Sequence, residues 1–388
     1  MKEPEMFDDL RPYCDLEISA AMHRIAGSEY FPMLSEFIFP GREVGEVRDL
    51  VRGCTTISEF QYRIMRIVHE RIVERSISCF TYSGLDRLSP SEKYLFVSNH
   101  RDIMLDAMLM QYALYKGGHA TSEISFGSNL MHPQVVVDIG KSNKMFTVLR
   151  GGNMHDFYNN SLRLSEYIRH TLTVKRESVW IAQRNGRTKD GCDNTEQGII
   201  KMFYMSKPQD PAVSLAELNI VPVAISYQWE SCDLLKTQEL YRRRRDGRYE
   251  KRLGEDLNSI LTGIMQFKGK VHITFCERIT GDDLDAFAGL SHGKFNSAVA
   301  SLMDSRIHAG YHLMSNNYIA HDMRSGSNCF AMHYTPSERA CFEKHYREVM
   351  SLEEEDKDLL REIFLGIYAN SVDRCIDIPQ VPPLEGLQ

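Results

Sequence analysis

The middle of the chain alternates short β-rich runs with amphipathic segments, and this alternation constrains the fold more than any other feature of the sequence. The β-rich runs are Tyr94–Ser98, Ile124–Gly127, Met145–Leu149, Val179–Ala182, Val221–Tyr227 and Val271–Cys276. Candidate helices lie between most of them, at Asp106–Tyr115, Asp156–Leu172 and Thr195–Met205. Strands that alternate with helices usually form a parallel sheet covered on both faces. We therefore predict an α/β domain with a mostly parallel central sheet flanked by helices.

The segments on either side of this domain lack the alternation. In the first eighty residues the apolar positions follow a helical period, as in the run that begins at Glu59. We expect Ser58 to cap the helix that this run forms. The sequence after about Asp282 is helical as well, with a Gly/Ser/Asn-rich break at Ser325–Asn328. We predict a helical N-terminal region (1–80), an α/β domain (81–281) and a helical C-terminal region (282–388).

Composition excludes several classes of function. The 388 residues are 43% hydrophobic and 26% charged, which is typical of a globular protein, and the formal net charge of −7 argues against general nucleic-acid binding. Nine cysteines without a C-x-x-C pair indicate neither a disulfide framework nor a zinc site, so we expect a cytoplasmic protein. No run approaches the ~18 apolar residues that span a bilayer, and the N-terminus has no signal-peptide core.

One segment departs from the acidic average. Tyr241–Arg252 (YRRRRDGRYEKR) is strongly basic. It is either a solvated surface or a contact with the anionic head groups of a membrane.

A histidine follows the first predicted strand of the domain, in the segment FVSNHRDIMLDAMLM. Ligands of open α/β folds bind at the carboxyl ends of the strands, so His100 is placed to project into a binding crevice. A carboxylate nearby, from Asp102 or Asp106, would hold the imidazole in one tautomer for general-base catalysis. The structural alternative is a histidine and an aspartate that cap a helix and make a buried polar contact.

Cationic side chains follow two further strands. Arg150 ends the strand of MFTVLRGGN, and Arg184, Arg187 and Lys189 follow the strand of WIAQRNGRTKDG. Arginine offers a planar fork of donors that suits phosphate, so convergence of these loops would form an anion pocket. Asn129, in FGSNL, follows a strand in the same way. The structural alternatives are a turn with a surface arginine for MFTVLRGGN, a solvated loop for WIAQRNGRTKDG and a plain turn for FGSNL.

In order and spacing these segments resemble the glycerolipid acyltransferases, most closely the glycerol-3-phosphate and 1-acylglycerol-3-phosphate acyltransferases. That superfamily carries the blocks N-H-x4-D, an arginine after an apolar strand, E-G-x-R-S-R and V-P-V. The corresponding segments here are SNHRDIMLD, MFTVLRGG, WIAQRNGRTKDG and IVPVAISY. The resemblance covers roughly Tyr94–Tyr227.

The resemblance implies a role for each matching residue. His100 would be the general base and Asp106 its orienting carboxylate, while Arg150 and Arg187 would bind the phosphate of the acceptor. Lys189 would lie near that phosphate, and Asn129 would line the pocket.

The resemblance also implies the substrates. The acyl donor would be a thioester of coenzyme A or of acyl carrier protein, and the acceptor a phosphorylated lipid precursor, with no metal and no other cofactor. Such a protein would act peripherally on the inner face of the membrane.

Two departures from the family pattern leave alternatives open. Five residues, not four, separate His100 from Asp106, which leaves Asp102 as the other candidate partner. The third block lacks its glutamate, and Arg184 or Asn185 stands there instead. A non-catalytic protein that binds lipid or acyl chains on the same fold is therefore the second hypothesis, and an interaction scaffold the third.

Overall fold

The centre of the molecule is a seven-stranded sheet. The structure, a computed structural model, describes residues 6–252 and 254–375. The strands are β1 (Ile77–Ser83), β2 (Leu95–Ser98), β3 (Glu123–Gly127), β4 (Met145–Val148), β5 (Val179–Ala182), β6 (Ile220–Tyr227) and β7 (Gly269–Phe275). Their order is β1-β7-β6-β2-β5-β3-β4. All neighbours are parallel except β6 and β7, which are antiparallel, so the predicted mostly parallel α/β sheet is confirmed.

The strand β1 lies partly within the region that we expected to be helical. Its residues pair in parallel with β7, from Ile77 opposite Gly269 to Ser83 opposite Thr274. Only Ile77 of this edge strand is buried, so the run lacks the apolar content of the central strands. The sheet therefore begins four residues before the expected boundary at residue 81.

Helices connect the strands and cover both faces of the sheet. They are α6 (Leu105–Lys116), α7 (Gln134–Ser142), α8 (Met154–Thr173), α9 (Gln197–Tyr204), α10 (Pro211–Ala216), α11 (Asp233–Asp246) and α12 (Glu255–Met265). Successive side chains of a strand point to opposite faces. Accordingly, Leu95 and Val97 pack in one core, and Phe96 packs in the core on the other face.

The N-terminal helices form a separate hydrophobic cluster. They are α1 (Asp15–Gly27), α2 (Phe31–Ile38), α3 (Val44–Arg52), α4 (Ile57–Phe60) and α5 (Arg66–Ser76), with a π-helical turn at Gln61–Met65. The expected cap at Ser58 is wrong. Thr56 caps α4 instead, since its hydroxyl accepts from the backbone N–H of Glu59 at 3.2 Å and the Glu59 carboxylate accepts from the backbone N–H of Thr56.

The C-terminal helices pack against the end of the α/β domain. They are α13 (Gly281–Asp285), α14 (His292–Ala309), α15 (Ser315–Ser325), α16 (Pro336–Met350) and α17 (Lys357–Cys375). Most of α17 is buried, and Tyr241 of α11 belongs to the same hydrophobic cluster. None of the helices in the described ranges combines the length and apolar character that a bilayer-spanning helix requires.

Candidate active site

The carboxyl ends of four adjacent parallel strands border a cavity of about 350 Å³. β2, β5, β3 and β4 run in the same direction, so the residues after them meet at one edge of the sheet. Four of the six residues to which the resemblance assigns a role line this cavity, namely His100, Asn129, Arg150 and Arg187.

His100 is hydrogen-bonded to Asp106. The distance from His100 Nδ1 to Asp106 Oδ2 is 2.9 Å, and the Asp106 side chain is fully buried while 14% of the His100 side chain is exposed. An ionised carboxylate only accepts hydrogen bonds, so Nδ1 is the donor of this pair. The Nε2 atom of His100 is then the unprotonated nitrogen of the neutral ring, and it can accept a proton.

Three further donors fix the Asp106 carboxylate. Oδ2 accepts from the backbone N–H groups of Arg101 and Asp102, at 2.6 and 2.8 Å, and Oδ1 accepts from the Tyr227 hydroxyl at 2.7 Å. Burial and the neighbouring Asp106 charge raise the pKa of Tyr227 well above its ordinary value, so this hydroxyl stays protonated. The carboxylate that orients His100 is therefore itself held rigidly.

Asp102 has a different role. Its Oδ1 accepts from the backbone N–H groups of Met104 and Leu105, both at 2.8 Å, and so caps the start of α6. Its Oδ2 accepts from the Ser231 hydroxyl. The structure thus brings His100 to Asp106 and not to Asp102, and the loop between them accommodates the additional residue.

Three arginines line the cavity, and we refer to them together as the arginine wall. Arg150 follows β4 on an exposed loop, where its backbone N–H donates to the Ser128 hydroxyl at 3.1 Å, and Arg184 and Arg187 follow β5. Among the described residues no ion pair is formed by these three arginines. Arg184 Nε and Arg187 Nη1 are buried and have no hydrogen-bond partner there. Such unpaired donors suit a bound anion.

Lys189 and Asn129, the other two residues expected at the pocket, take different positions: only Asn129 lines the cavity. Lys189 does not line the cavity, because its ammonium group pairs with Glu239 of α11. Burial, the largest of the influences on it, lowers the pKa of Lys189. Asn129 does line the cavity, and its Nδ2 lies 3.5 Å from Asp256 Oδ2 at the start of α12.

The apolar part of the cavity was not predicted from the sequence. It is lined by Leu10, Leu164, Ile181, Ile199 and Met202. Leu10 reaches the site because its carbonyl accepts from the backbone N–H of Thr147 in β4 at 2.8 Å. No short motif marks these residues, since they come from separate elements that only the fold brings together.

A buried ionic cluster behind His100 was also missed. Arg101 donates to Asp193 and Glu230, and Lys236 donates to Glu230 and to the Arg101 carbonyl. Arg101 also donates to Ser371 of α17 at 3.1 Å. The loop that carries His100 is thereby connected to the C-terminal helices.

Comparison with known proteins gives one family. Residues 79–226 match the model of the family described as Acyltransferase, and this segment contains His100, Asp106, Arg150 and Arg187. No curated protein matches the chain significantly.

Solved structures give distant likenesses. The 1-acyl-sn-glycerophosphate (LPA) acyltransferase PlsC from Thermotoga maritima is 13% identical, with a TM-score of 0.35 over 75% of this chain and 95% of that one. The signal recognition particle 54 kDa protein from Aeropyrum pernix K1 in complex with GDP is also 13% identical, with a TM-score of 0.21 over 92% and 99% of the two chains. Both scores are too low to carry an argument.

Proposed function

We propose that the protein is an O-acyltransferase that moves a fatty acyl group from a thioester to a hydroxyl of a phosphorylated lipid precursor. The match of residues 79–226 to the Acyltransferase family model supports this proposal. Glycerol 3-phosphate, lysophosphatidate and related molecules are the acceptors that we propose. The observation that carries the proposal is the His100–Asp106 pair, placed at a cavity that three arginines line, two of which have buried donors without a hydrogen-bond partner among the described residues.

His100 acts as the general base in this proposal. Its Nε2 takes the proton of the acceptor hydroxyl as the oxygen attacks the thioester carbonyl carbon. The C–S bond breaks as the new C–O ester bond becomes complete, and the imidazolium returns the proton to the departing thiolate. Asp106 stabilises the imidazolium formed in between, because its buried carboxylate already accepts from Nδ1. General-base catalysis of this kind contributes about 10²–10⁴-fold in rate.

The arginine wall binds the acceptor phosphate. Arg150, Arg184 and Arg187 offer charged donors, and charge-assisted hydrogen bonds to phosphate are roughly twice as strong as neutral ones. The apolar side of the same cavity, with Leu164, Ile199 and Met202, takes the fatty acyl chain. We propose that the protein works at the inner face of a membrane and accepts acyl groups from coenzyme A or acyl carrier protein.

The direct test incubates purified protein with labelled acyl-CoA or acyl carrier protein and a panel of acceptors, with product identification by mass spectrometry. We expect an ester of a phosphorylated acceptor. His100→Gln should lower kcat by about 10²–10⁴-fold, whereas His23→Gln, a change on the exposed surface of α1, is the matched control. Undiminished transfer by His100→Gln would remove this residue from the mechanism. Lysolipid binding without any product from the unaltered protein would favour a non-catalytic lipid-binding protein.

The phosphate wall has its own test. Arg187→Ala should raise KM for a phosphorylated acceptor by about tenfold or more and leave kcat nearly unchanged. Arg245→Ala removes an exposed arginine that does not line the cavity and that pairs with the neighbouring Asp246, and it serves as control. A variant that changed kcat alone would contradict the assignment of Arg187 to acceptor binding.

A further inference from the structure

Large apolar side chains are concentrated on the surface around the cavity. Eight of the eighteen exposed large hydrophobic residues in the described ranges belong to two short segments. The first segment, at the end of β4 and the start of α8, contains Leu149, Met154, Phe157 and Tyr158; the second, in and after α12, contains Leu257, Leu261, Met265 and Phe267. The exposed fractions of these residues range from 37% to 86%.

The helix α12 presents its apolar stripe outward. Leu257, Leu261 and Met265 are four residues apart and so lie on one face of the helix, and each is more than half exposed. The opposite face packs on the protein, where Ser259 and Gly263 are buried and a Cβ atom at Gly263 would lie 2.3 Å from Asp102 Oδ2. A surface helix normally turns its apolar stripe toward the core. The inverted arrangement leaves an apolar face that no described residue of the chain covers.

Both apolar segments border the candidate active-site cavity. Leu149 and Phe157 line it on one side, and Lys251 and Asp256 line it on the α12 side. The 3.5 Å contact between Asn129 and Asp256 joins the two sides. The opening of the cavity therefore lies between two groups of exposed apolar side chains.

The same rim is positively charged. The basic run Tyr241–Arg252 precedes α12. Its residues Arg243, Arg248 and Arg252 are exposed, and none of them forms an ion pair within the described part of the chain. Exposed apolar side chains beside unpaired cations are the combination that binds the interface of an anionic bilayer.

We propose that this face docks on an anionic lipid bilayer, so that the cavity opens directly onto the lipid–water interface. This docking proposal rests on the proposed function in one respect, the identity of the molecule that enters the cavity from the bilayer. That molecule would be a lipid acceptor with its acyl chain. A lipid surface fits better than a second copy of the chain, because a two-fold related copy would bring the cationic rim against itself.

The test measures partition of the protein onto vesicles by co-sedimentation. With equimolar phosphatidylcholine and phosphatidylglycerol, Leu257→Glu/Leu261→Glu should lower the partition coefficient at least about tenfold. The matched control is Leu16→Glu/Met332→Glu, which charges two residues that are 94% and 88% exposed elsewhere and should leave partition unchanged. Arg243→Glu/Arg248→Glu should weaken partition onto these vesicles and not onto pure phosphatidylcholine.

Several outcomes would overturn the proposal. The unaltered protein could stay in solution, the α12 variant could sediment as well as the control, or the α12 changes could only convert a dimer into a monomer. The docking proposal and the proposed function are separated by an assay without vesicles. This assay measures acyl transfer from a short-chain thioester to glycerol 3-phosphate. The α12 variant should keep that turnover while it loses partition, whereas a protein without any turnover would refute the proposed function and leave the partition result intact.

Discussion

Arg101, the residue after His100, forms a buried ion pair with Asp193, with Arg101 Nε and Nη2 at 2.9 and 2.6 Å from Asp193 Oδ2. Burial alone would raise the pKa of the Asp193 carboxyl, but the Arg101 charge outweighs it and holds the pKa below its ordinary value. Tyr311, just after α14, donates to the same carboxylate. The position of His100 thus depends on contacts made by the C-terminal part of the chain.

The first prediction concerns this ion pair. Arg101→Met should lower the free energy of unfolding by about 3–5 kcal/mol, because it leaves the buried Asp193 carboxylate without its cation and leaves Glu230 paired with Lys236 alone among the described residues. Urea denaturation at pH 7 measures the change. Arg244→Ala, which breaks an exposed pair with Glu362, should change stability by at most about 1 kcal/mol. An equal effect of the two substitutions would contradict the structural role of Arg101.

The second prediction concerns Tyr227 as a positioning residue. Tyr227→Phe removes the hydrogen bond to Asp106 Oδ1 and leaves the ring in place, so kcat should fall about tenfold while KM for the acceptor stays constant. Steady-state kinetics with both substrates measures the two constants. Tyr115→Phe, at an exposed position of α6, is the control. If KM rose and kcat did not change, the hydroxyl would act on binding and not on the His100–Asp106 pair.

The third prediction uses two glycines that line the cavity. A methyl group at Gly127 would lie 2.7 Å from Asn129 Oδ1 and 2.8 Å from Arg150 Nε, whereas one at Gly198 would meet no atom within 4 Å. Gly127→Ala should therefore displace the Arg150 side chain and raise KM for a phosphorylated acceptor several-fold. Gly198→Ala should leave KM unchanged. Equal KM values for the two variants would mean that the orientation of Arg150 does not affect acceptor binding.

The fourth prediction concerns stability in acid. Burial, and next the charge of His312, lowers the pKa of His272 to about 4, while an unfolded histidine has a pKa of about 6.5. Between these pH values the unfolded state binds more protons than the folded state. The contribution of neutral His272 to the free energy of unfolding is therefore complete above about pH 6.5 and is lost as the pH falls toward 4. From pH 7 to pH 5 this histidine should account for a loss of about 2 kcal/mol.

His272→Gln isolates that contribution. Glutamine can still bond to the Thr81 and Ser83 hydroxyls that contact the imidazole, but it does not titrate. Urea denaturation at pH 7, 6 and 5 should therefore show a smaller loss of stability for the variant than for the unaltered protein. The surface substitution His23→Gln is the parallel control. Identical pH dependence of His272→Gln and the unaltered protein would refute the prediction.

The sequence predicted what lies close together along the chain. Six of the seven strands follow from short apolar runs, and the proximity of His100 to Asp106 follows from a motif of eight residues. Features that depend on distant partners could not be predicted. Strand β1 needs β7 as its neighbour, and Lys189 is withdrawn from the cavity by Glu239, fifty positions away in sequence.

The ionic cluster around Arg101 could not be predicted from the sequence either, because its members are distant along the chain. Its partners Asp193, Glu230 and Ser371 lie 92, 129 and 270 positions further along the chain. No local pattern distinguishes a buried arginine with such partners from one on the surface. Only the packing of the C-terminal helices on the α/β domain reveals the cluster.

The docking of Leu10 on β4 has a consequence for substrate selectivity. One backbone hydrogen bond to Thr147 and the contact of Phe7 with Tyr167 hold this segment at the apolar end of the cavity. If the cavity binds an acyl chain as proposed, changes at residues 7–12 should deepen or shorten the space for the hydrocarbon tail, while the strands that precede His100 and the arginines stay as they are. Under that proposal, the preference for chain length could be changed separately from the catalytic residues.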